Sequence, residues 1–151
     1  MKKIKVKVND KWVTGITKAG TTLLRFLREN GHTEIKRGCD EGDCGACTVL
    51  LDGKVVTSCL VLALQADGKE VVTIKKQDDQ LLEALKEAFV KYEAVQCGYC
   101  TPGMITTARW LLAENAKPSR DGIRDALTGN LCRCTGYQKI VDAIEYVSKN
   151  L

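Results

Sequence analysis

Eight cysteines constrain this chain more than any other feature. They fall into two groups of four: Cys39, Cys44, Cys47 and Cys59, then Cys97, Cys100, Cys132 and Cys134, with none between residues 60 and 96. The opening MKKIKVKVND is basic but lacks the apolar core and small-residue cleavage site of a secretory signal, so the cytoplasm is the expected compartment. Thiols stay reduced there. Disulfides are therefore disfavoured, and ligation of a metal or cluster becomes the leading reading. Whatever the fold, it must gather four sulfurs twice.

The 151 residues suffice for one domain of ordinary size or two small ones. Apolar residues make up 44% and charged residues 28%, the balance of a soluble globular chain. No apolar run approaches the roughly 20 residues of a membrane span. The formal charge is +4, yet lysines are dispersed among acids except in KKIKVK, where alternation with apolar residues marks a strand with one wet face. Without a clustered basic patch, nucleic acid is not an expected partner.

The hydrophobic period changes partway along. Ile4, Val6 and Val8 alternate with lysines, and Asn9-Asp10 breaks the run before Trp12-Val13, which reads as a hairpin. Thr21 or Thr22 is placed to cap a short helix carrying Leu23, Leu24, Phe26 and Leu27, stopped by Gly31. Val49–Leu51, Asp52-Gly53 and Val55-Val56 form a second hairpin with a favoured turn. Val71–Ile74 adds a strand. From Asp78 the spacing turns helical: Leu81, Leu82, Leu85, Ala88, Phe89, Tyr92; then Met104, Ile105, Ala108, Leu111, Leu112; then Ile123, Ala126, Leu127; then Ile140, Val141, Ile144, Val147. These stripes are core faces. The expectation is an α+β chain, with residues 1–76 forming a sheet-bearing domain and 77–151 a four-helix bundle.

In CDEGDCGAC, residues 39–47, the cysteines are spaced by four and two residues, and Cys59 follows after eleven intervening residues. That is the plant-type [2Fe–2S] spacing. Gly38, Gly42 and Gly45 let the loop bend sharply and bring N–H groups near the sulfurs, where they offset the cluster's negative charge. The Asp52-Gly53 hairpin returns the fourth ligand. Zinc usually takes two close cysteine pairs, which this loop with its distant fourth fits poorly.

The second group lies in QCGYCTPG, residues 96–103, and CRCTGY, residues 132–137. Its segment is helical, unlike the βαβ setting of a thioredoxin-type dithiol. Thr101 followed by Pro102, and Thr135 ahead of Ile140, are expected to open helices, setting both cysteine pairs at positive helix ends. Spacing alone leaves zinc and [2Fe–2S] both open here.

GCDEGDCGACTV, SC at 58–59, QCGYCTPGM and GNLCRCTGY together resemble the small iron–sulfur subunit of the molybdenum hydroxylases, the family of xanthine dehydrogenases, aldehyde oxidoreductases and carbon monoxide dehydrogenases. The match runs from about residue 3 to 148 in order and spacing. It implies a ferredoxin-like β-grasp domain holding one [2Fe–2S] cluster on Cys39, Cys44, Cys47 and Cys59. It implies a helical domain holding another on Cys97, Cys100, Cys132 and Cys134. By the same resemblance Gln96 and Cys134 lie close to the molybdopterin of a large partner subunit, and the first cluster lies nearer FAD on a medium subunit. A heterotrimer or a dimer of heterotrimers follows. Gly122 departs from the expected glutamate that would close a capping box with Ser119.

The expected role is an electron relay in such an enzyme. A xanthine- or purine-type dehydrogenase is the first expectation; aldehyde, N-heterocycle and carbon monoxide enzymes are the alternatives. The chain offers no catalytic base constellation, no G-x-G-x-x-G and no P-loop, and its single histidine, His32, follows Gly31 as a turn residue. A stand-alone ferredoxin-type carrier would leave residues 76–151 without a use, and a zinc-stabilised interaction module would contain no sulfide. An oxidised [2Fe–2S] centre on four thiolates carries a net −2, so two centres bring the formal +4 to about zero. The surplus of basic residues is then a counter-charge to the clusters.

Overall fold

The computed structural model describes residues 1–150; Leu151, the last residue of the expected helical domain, lies outside the described residues. The N-terminal part is a five-stranded mixed sheet: β1 (Lys2–Val8), β2 (Lys11–Thr17), β3 (Thr48–Leu51), β4 (Lys54–Thr57) and β5 (Glu70–Val72). The spatial order is β2-β1-β5-β3-β4, with β1 and β5 parallel and the other pairs antiparallel.

Alternation drives β1. Ile4, Val6 and Val8 are buried and the lysines between them face outward. Asn9 and Asp10 both take positive φ (47° and 70°), as do Asp52 and Gly53 (48° and 79°). Those are the conformations that two-residue hairpin turns demand. Helix α1 (Leu23–Glu29) starts at Thr22, whose hydroxyl accepts the Arg25 N–H at 3.2 Å. Its Leu23, Leu24, Phe26 and Leu27 close the core over the sheet. Gly15 of β2 is required by that packing, since a Cβ there would lie 2.8 Å from the Phe26 ring.

β5 ends earlier than the Val71–Ile74 run suggests. Thr73 leaves the ladder because Asn9 captures it: the Thr73 N–H donates to Asn9 Oδ1 at 2.9 Å and Asn9 Nδ2 donates to Thr73 Oγ1 at 2.8 Å. Ile74 then packs on the second core.

That core is helical: α2 (Gln80–Lys91), α3 (Thr101–Glu114), α4 (Arg120–Ala126) and α5 (Gln138–Lys149). Asp79 caps α2 through the Leu82 N–H at 3.0 Å and also pairs with Arg109 of α3 at 3.1 Å. The expected stripes supply Leu82, Leu85, Phe89, Met104, Ile105, Ile123, Ile140 and Ile144 to the interior. Ser119 caps α4 through the Gly122 N–H at 3.0 Å, with no glutamate reciprocating.

Two expected helix starts are corrected. Cys100, not Thr101, precedes α3; Thr101 is the first helical residue, and Pro102 follows within the first turn, where a missing N–H costs nothing. Thr135 does not open α5. That helix begins at Gln138 after Tyr137, held at φ 67°. Gly136 and Tyr137 both adopt left-handed backbone, and Thr135 lies in the resulting turn. The pair Cys132 and Cys134 therefore sits in a loop ahead of the helix, not at its positive end.

Candidate iron–sulfur sites

Cys39, Cys44 and Cys47 lie on the loop between α1 and β3, and Cys59 follows β4. Asp40, Gly42 and Gly45 take φ of 63°, 88° and 70°, which folds the loop back on itself. As a result the N–H groups of Glu41 and Cys44 both donate to Cys39 Sγ at 3.4 Å. Gly38 leaves room for a sulfur: a Cβ there would lie 2.5 Å from Cys44 Sγ. The Ser58 N–H and hydroxyl both donate to the Cys47 carbonyl, at 3.3 and 2.7 Å, and so fasten the Cys59 segment beside Cys47.

The thiols are electrostatically unlike. Backbone donation from Glu41, then Cys44, lowers the Cys39 pKa to about 7. Burial, then the neighbouring Cys47, pushes Cys59 up to about 12. A cationic centre would relieve the burial cost at Cys59, and the donors at Cys39 suit a thiolate.

In the second site Cys97 and Cys100 lie between α2 and α3, and Cys132 and Cys134 between α4 and α5. Cys134 Sγ stands 3.6 Å from Cys97 Sγ, both exposed, while Cys100 and Cys132 are half-buried. Cys100 is pushed up to about 12 by burial and by Cys132. Cys132 is lowered: burial opposes ionisation, but the Thr135 hydroxyl and N–H, at 3.0 and 3.4 Å from its sulfur, outweigh it. Cys97 raises Cys134. Gln96 is exposed next to Cys97.

Within each group the sulfurs act on one another's ionisation, Cys44 on Cys39, Cys47 and Cys39 on Cys59, Cys132 and Cys97 on Cys100, and Cys97 and Cys134 stand 3.6 Å apart. Among the described residues no three His, Cys, Asp or Glu groups are placed to hold a single ion. Four thiolates gathered in one place are the donor set that a [2Fe–2S] centre would take. The N–H groups aimed at Cys39 and Cys132 and the space kept free by Gly38 are consistent with the same centre.

Asn130, to which sequence reasoning gave no role, locks the two sites together. It is buried; its Nδ2 donates to the Gly45 carbonyl at 3.1 Å and to Thr48 Oγ1 at 3.3 Å, and its Oδ1 accepts from Thr107 Oγ1 at 2.8 Å. The fit is tight enough that a Cβ on Gly45 would lie 2.1 Å from the Gly129 carbonyl, and one on Gly103 would lie 2.3 Å from the Gly45 carbonyl. The Tyr99 hydroxyl donates to the Arg37 carbonyl at 2.5 Å, a second tie between the cysteine loops. The asparagine of GNLCRC was in view in the sequence, but nothing local to it signals a partner 85 residues away. His32 occupies the turn after α1, its N–H on the Leu27 carbonyl at 3.0 Å and its ring 3.2 Å from Glu34.

Two family models match the chain: the 2Fe-2S iron-sulfur cluster binding domain over residues 6–70 and the [2Fe-2S] binding domain over residues 71–145. The chain is 47% identical to the nicotine 6-hydroxylase small subunit of Paenarthrobacter nicotinovorans, over 93% of this chain and 86% of that one. It is 48% identical to the xanthine dehydrogenase iron-sulfur-binding subunit of Escherichia coli O157:H7, over 83% and 80%. The crystal structure of quinoline 2-oxidoreductase from Pseudomonas putida 86 contains a chain that superposes with a TM-score of 0.92 at 44% identity, covering 98% of this chain and 94% of that one. No helix is long and apolar enough to cross a membrane among the described residues. With two [2Fe–2S]-binding domains, a ferredoxin-like sheet and a helical bundle in this order, the chain belongs to the small iron–sulfur subunits of the molybdenum hydroxylases, which carry electrons for oxidoreductases rather than convert substrate themselves.

Proposed function

We propose that Cys39, Cys44, Cys47 and Cys59 ligate one [2Fe–2S] centre and Cys97, Cys100, Cys132 and Cys134 the other. The boundary between their domains falls at residues 76 and 77. The observation that carries this reading is the gathering of the eight sulfurs into two groups of four, with Cys97 and Cys134 at 3.6 Å and N–H groups aimed at Cys39 and Cys132. Each centre, when bound, supplies one-electron chemistry; the chain's own residues hold it, aim N–H groups at its sulfurs and join the two loops. Cys97 and Cys134, exposed with Gln96 beside them, form the face toward a molybdopterin-binding large subunit. An FAD-binding medium subunit receives electrons on the ferredoxin-like side. The assembly is a heterotrimer or a dimer of heterotrimers in the cytoplasm. Its substrate is an N-heteroaromatic ring, the purine of xanthine included, a reading supported by relatives named for nicotine, xanthine and quinoline.

Native purification tests it. The chain should co-purify with a molybdopterin protein and a flavoprotein, contain four irons and four acid-labile sulfides on the ligation proposed, and show two distinct EPR signals on reduction. The complex should oxidise xanthine or a pyridine in preference to an aldehyde. Zinc without sulfide, or a chain isolated alone from native extract, would refute the assignment; preferential turnover of aldehydes would refute the substrate class only.

A further inference from the structure

The Thr135 hydroxyl lies 3.0 Å from Cys132 Sγ. Among the described residues it is the only side-chain hydroxyl donating to a cysteine sulfur; Cys39 receives the N–H groups of Glu41 and Cys44. The direction of its single proton follows from its other contact. Thr135 Oγ1 accepts the Tyr137 N–H at 3.2 Å, which occupies a lone pair and turns the proton toward the sulfur. The left-handed Gly136 and Tyr137, both at φ 67°, are what bring that N–H back. Tyr137 also closes the far side of the turn, its hydroxyl accepting the Cys132 N–H at 2.8 Å. A backbone conformation unfavourable for tyrosine is thus held by two hydrogen bonds, and the outcome is an oriented hydroxyl.

We propose that Thr135 is a positioning residue that raises the reduction potential of the helical-domain centre by donating its hydroxyl proton to Cys132. The inference rests on the reading of Cys132 as a ligand. Gaining one electron takes a [2Fe–2S] centre on four thiolates from a net −2 to −3, and a donor on a ligand sulfur stabilises the more negative state. No proton is transferred and no bond is broken. A hydrogen bond to a charged acceptor is strong enough to alter the reduced-to-oxidised ratio about tenfold, which for a one-electron couple is about 59 mV.

The test is an EPR-monitored titration with dithionite of the whole complex carrying Thr135→Val, Thr135→Ser or Cys132→Ala. The expected result is that Thr135→Val makes the helical-domain signal harder to reduce, by about tenfold in that ratio, leaves the other signal in place, and that Thr135→Ser restores the original value. Cys132→Ala should abolish one signal, which tests the ligand reading separately. If Cys132→Ala abolishes a signal while Thr135→Val moves neither potential, Thr135 has no such role and the ligand reading survives. If Cys132→Ala spares both signals, the ligand reading fails and the proposal with it. Should Thr135→Val lose the centre, Thr135→Ala, which removes the hydroxyl and keeps the Thr135 N–H on Cys132, is titrated in its place, and an unmoved helical-domain potential overturns the proposal.

Discussion

The N–H of Leu131 donates to the carbonyl of Cys44 across 2.9 Å. Leu131 precedes Cys132 in the helical domain, and Cys44 lies in the ferredoxin-like loop, so one hydrogen bond joins the two cysteine loops through backbone alone. Asn130 shields it from one side with three buried hydrogen bonds. Asn130→Ala removes that side chain and leaves the Thr107 hydroxyl without its acceptor, while the Gly45 carbonyl keeps the Thr48 N–H and hydroxyl at 3.1 and 2.7 Å. A buried unpaired group costs about 1–3 kcal/mol. We expect a clear fall in the urea midpoint of the cluster-loaded chain, together with weakened magnetic coupling between the two EPR signals. An unchanged midpoint would show that water replaces the asparagine at no cost.

Gly45 is held at φ 70° with the Gly129 carbonyl where a Cβ would go, whereas Gly53, at φ 79°, has nothing within 4 Å of that point. Gly45→Ala and Gly53→Ala therefore share the left-handed penalty of roughly 1–2 kcal/mol and differ only in the clash. Gly53→Ala should fold and bind both clusters with a modest loss of stability. Gly45→Ala should lose assembly, seen as absent visible absorbance after purification. Equal behaviour of the two would mean that the interdomain contact yields easily.

Glu34 is a buried carboxylate on the turn after α1. Its Oε1 takes the Thr73 hydroxyl at 2.9 Å and His32 Nδ1 at 3.2 Å; Oε2 takes no hydrogen bond, and the Lys75 ammonium at 3.4 Å supplies charge only. Burial works against ionisation, but the Glu34 N–H, Thr73 and His32 together hold its pKa below the usual carboxyl value. A depressed folded pKa means that ionised Glu34 stabilises the fold above the unfolded value, about 4.3, and that this stability disappears as pH falls through the lower folded pKa. Glu34→Gln should thus unfold at a lower temperature than wild type at pH 7, with the gap closing below about pH 4. Visible absorbance reports cluster loss separately. A gap independent of pH would show that shape, not charge, matters at this position.

If the basic surplus offsets the clusters, removing them exposes it. Native isoelectric focusing should place cluster-free chain at a higher pH than loaded chain, and coincident bands would remove the counter-charge idea.

The sheet, the helical stripes and the cap at Thr22 were legible because each depends on neighbours within a few residues. Periods of two and of helical spacing, Asn9-Asp10 and Asp52-Gly53 all act locally. Thr101 and Thr135 were misread for the same reason: a threonine before a helix resembles a cap in sequence. In CRCTGY the demand of Cys132 for a hydroxyl and the left-handed Gly136-Tyr137 pair override that local preference. Asn130, Tyr99 and Gly103 were not legible at all, since their partners lie in the other domain and only the docking of α3 and the GNLCRC loop on the ferredoxin-like loop reveals them.

Cys134 offers the sharpest separation of the two sites. Its sulfur is exposed and 3.6 Å from that of Cys97, and its loop contributes nothing to the sheet core. Cys134→Ala should therefore abolish or broaden the helical-domain EPR signal while the ferredoxin-like signal keeps its g-values and intensity. Cys59 is buried in the sheet core beside Cys47. Cys59→Ala should do the reverse and also lower stability, because it empties volume in that core. Reduction of the remaining ferredoxin-like centre by dithionite should persist in Cys134→Ala, whereas its reduction by substrate should stop, since electrons are proposed to arrive on the Cys97 and Cys134 face. Continued reduction by substrate at the wild-type rate would place the point of arrival elsewhere on the chain.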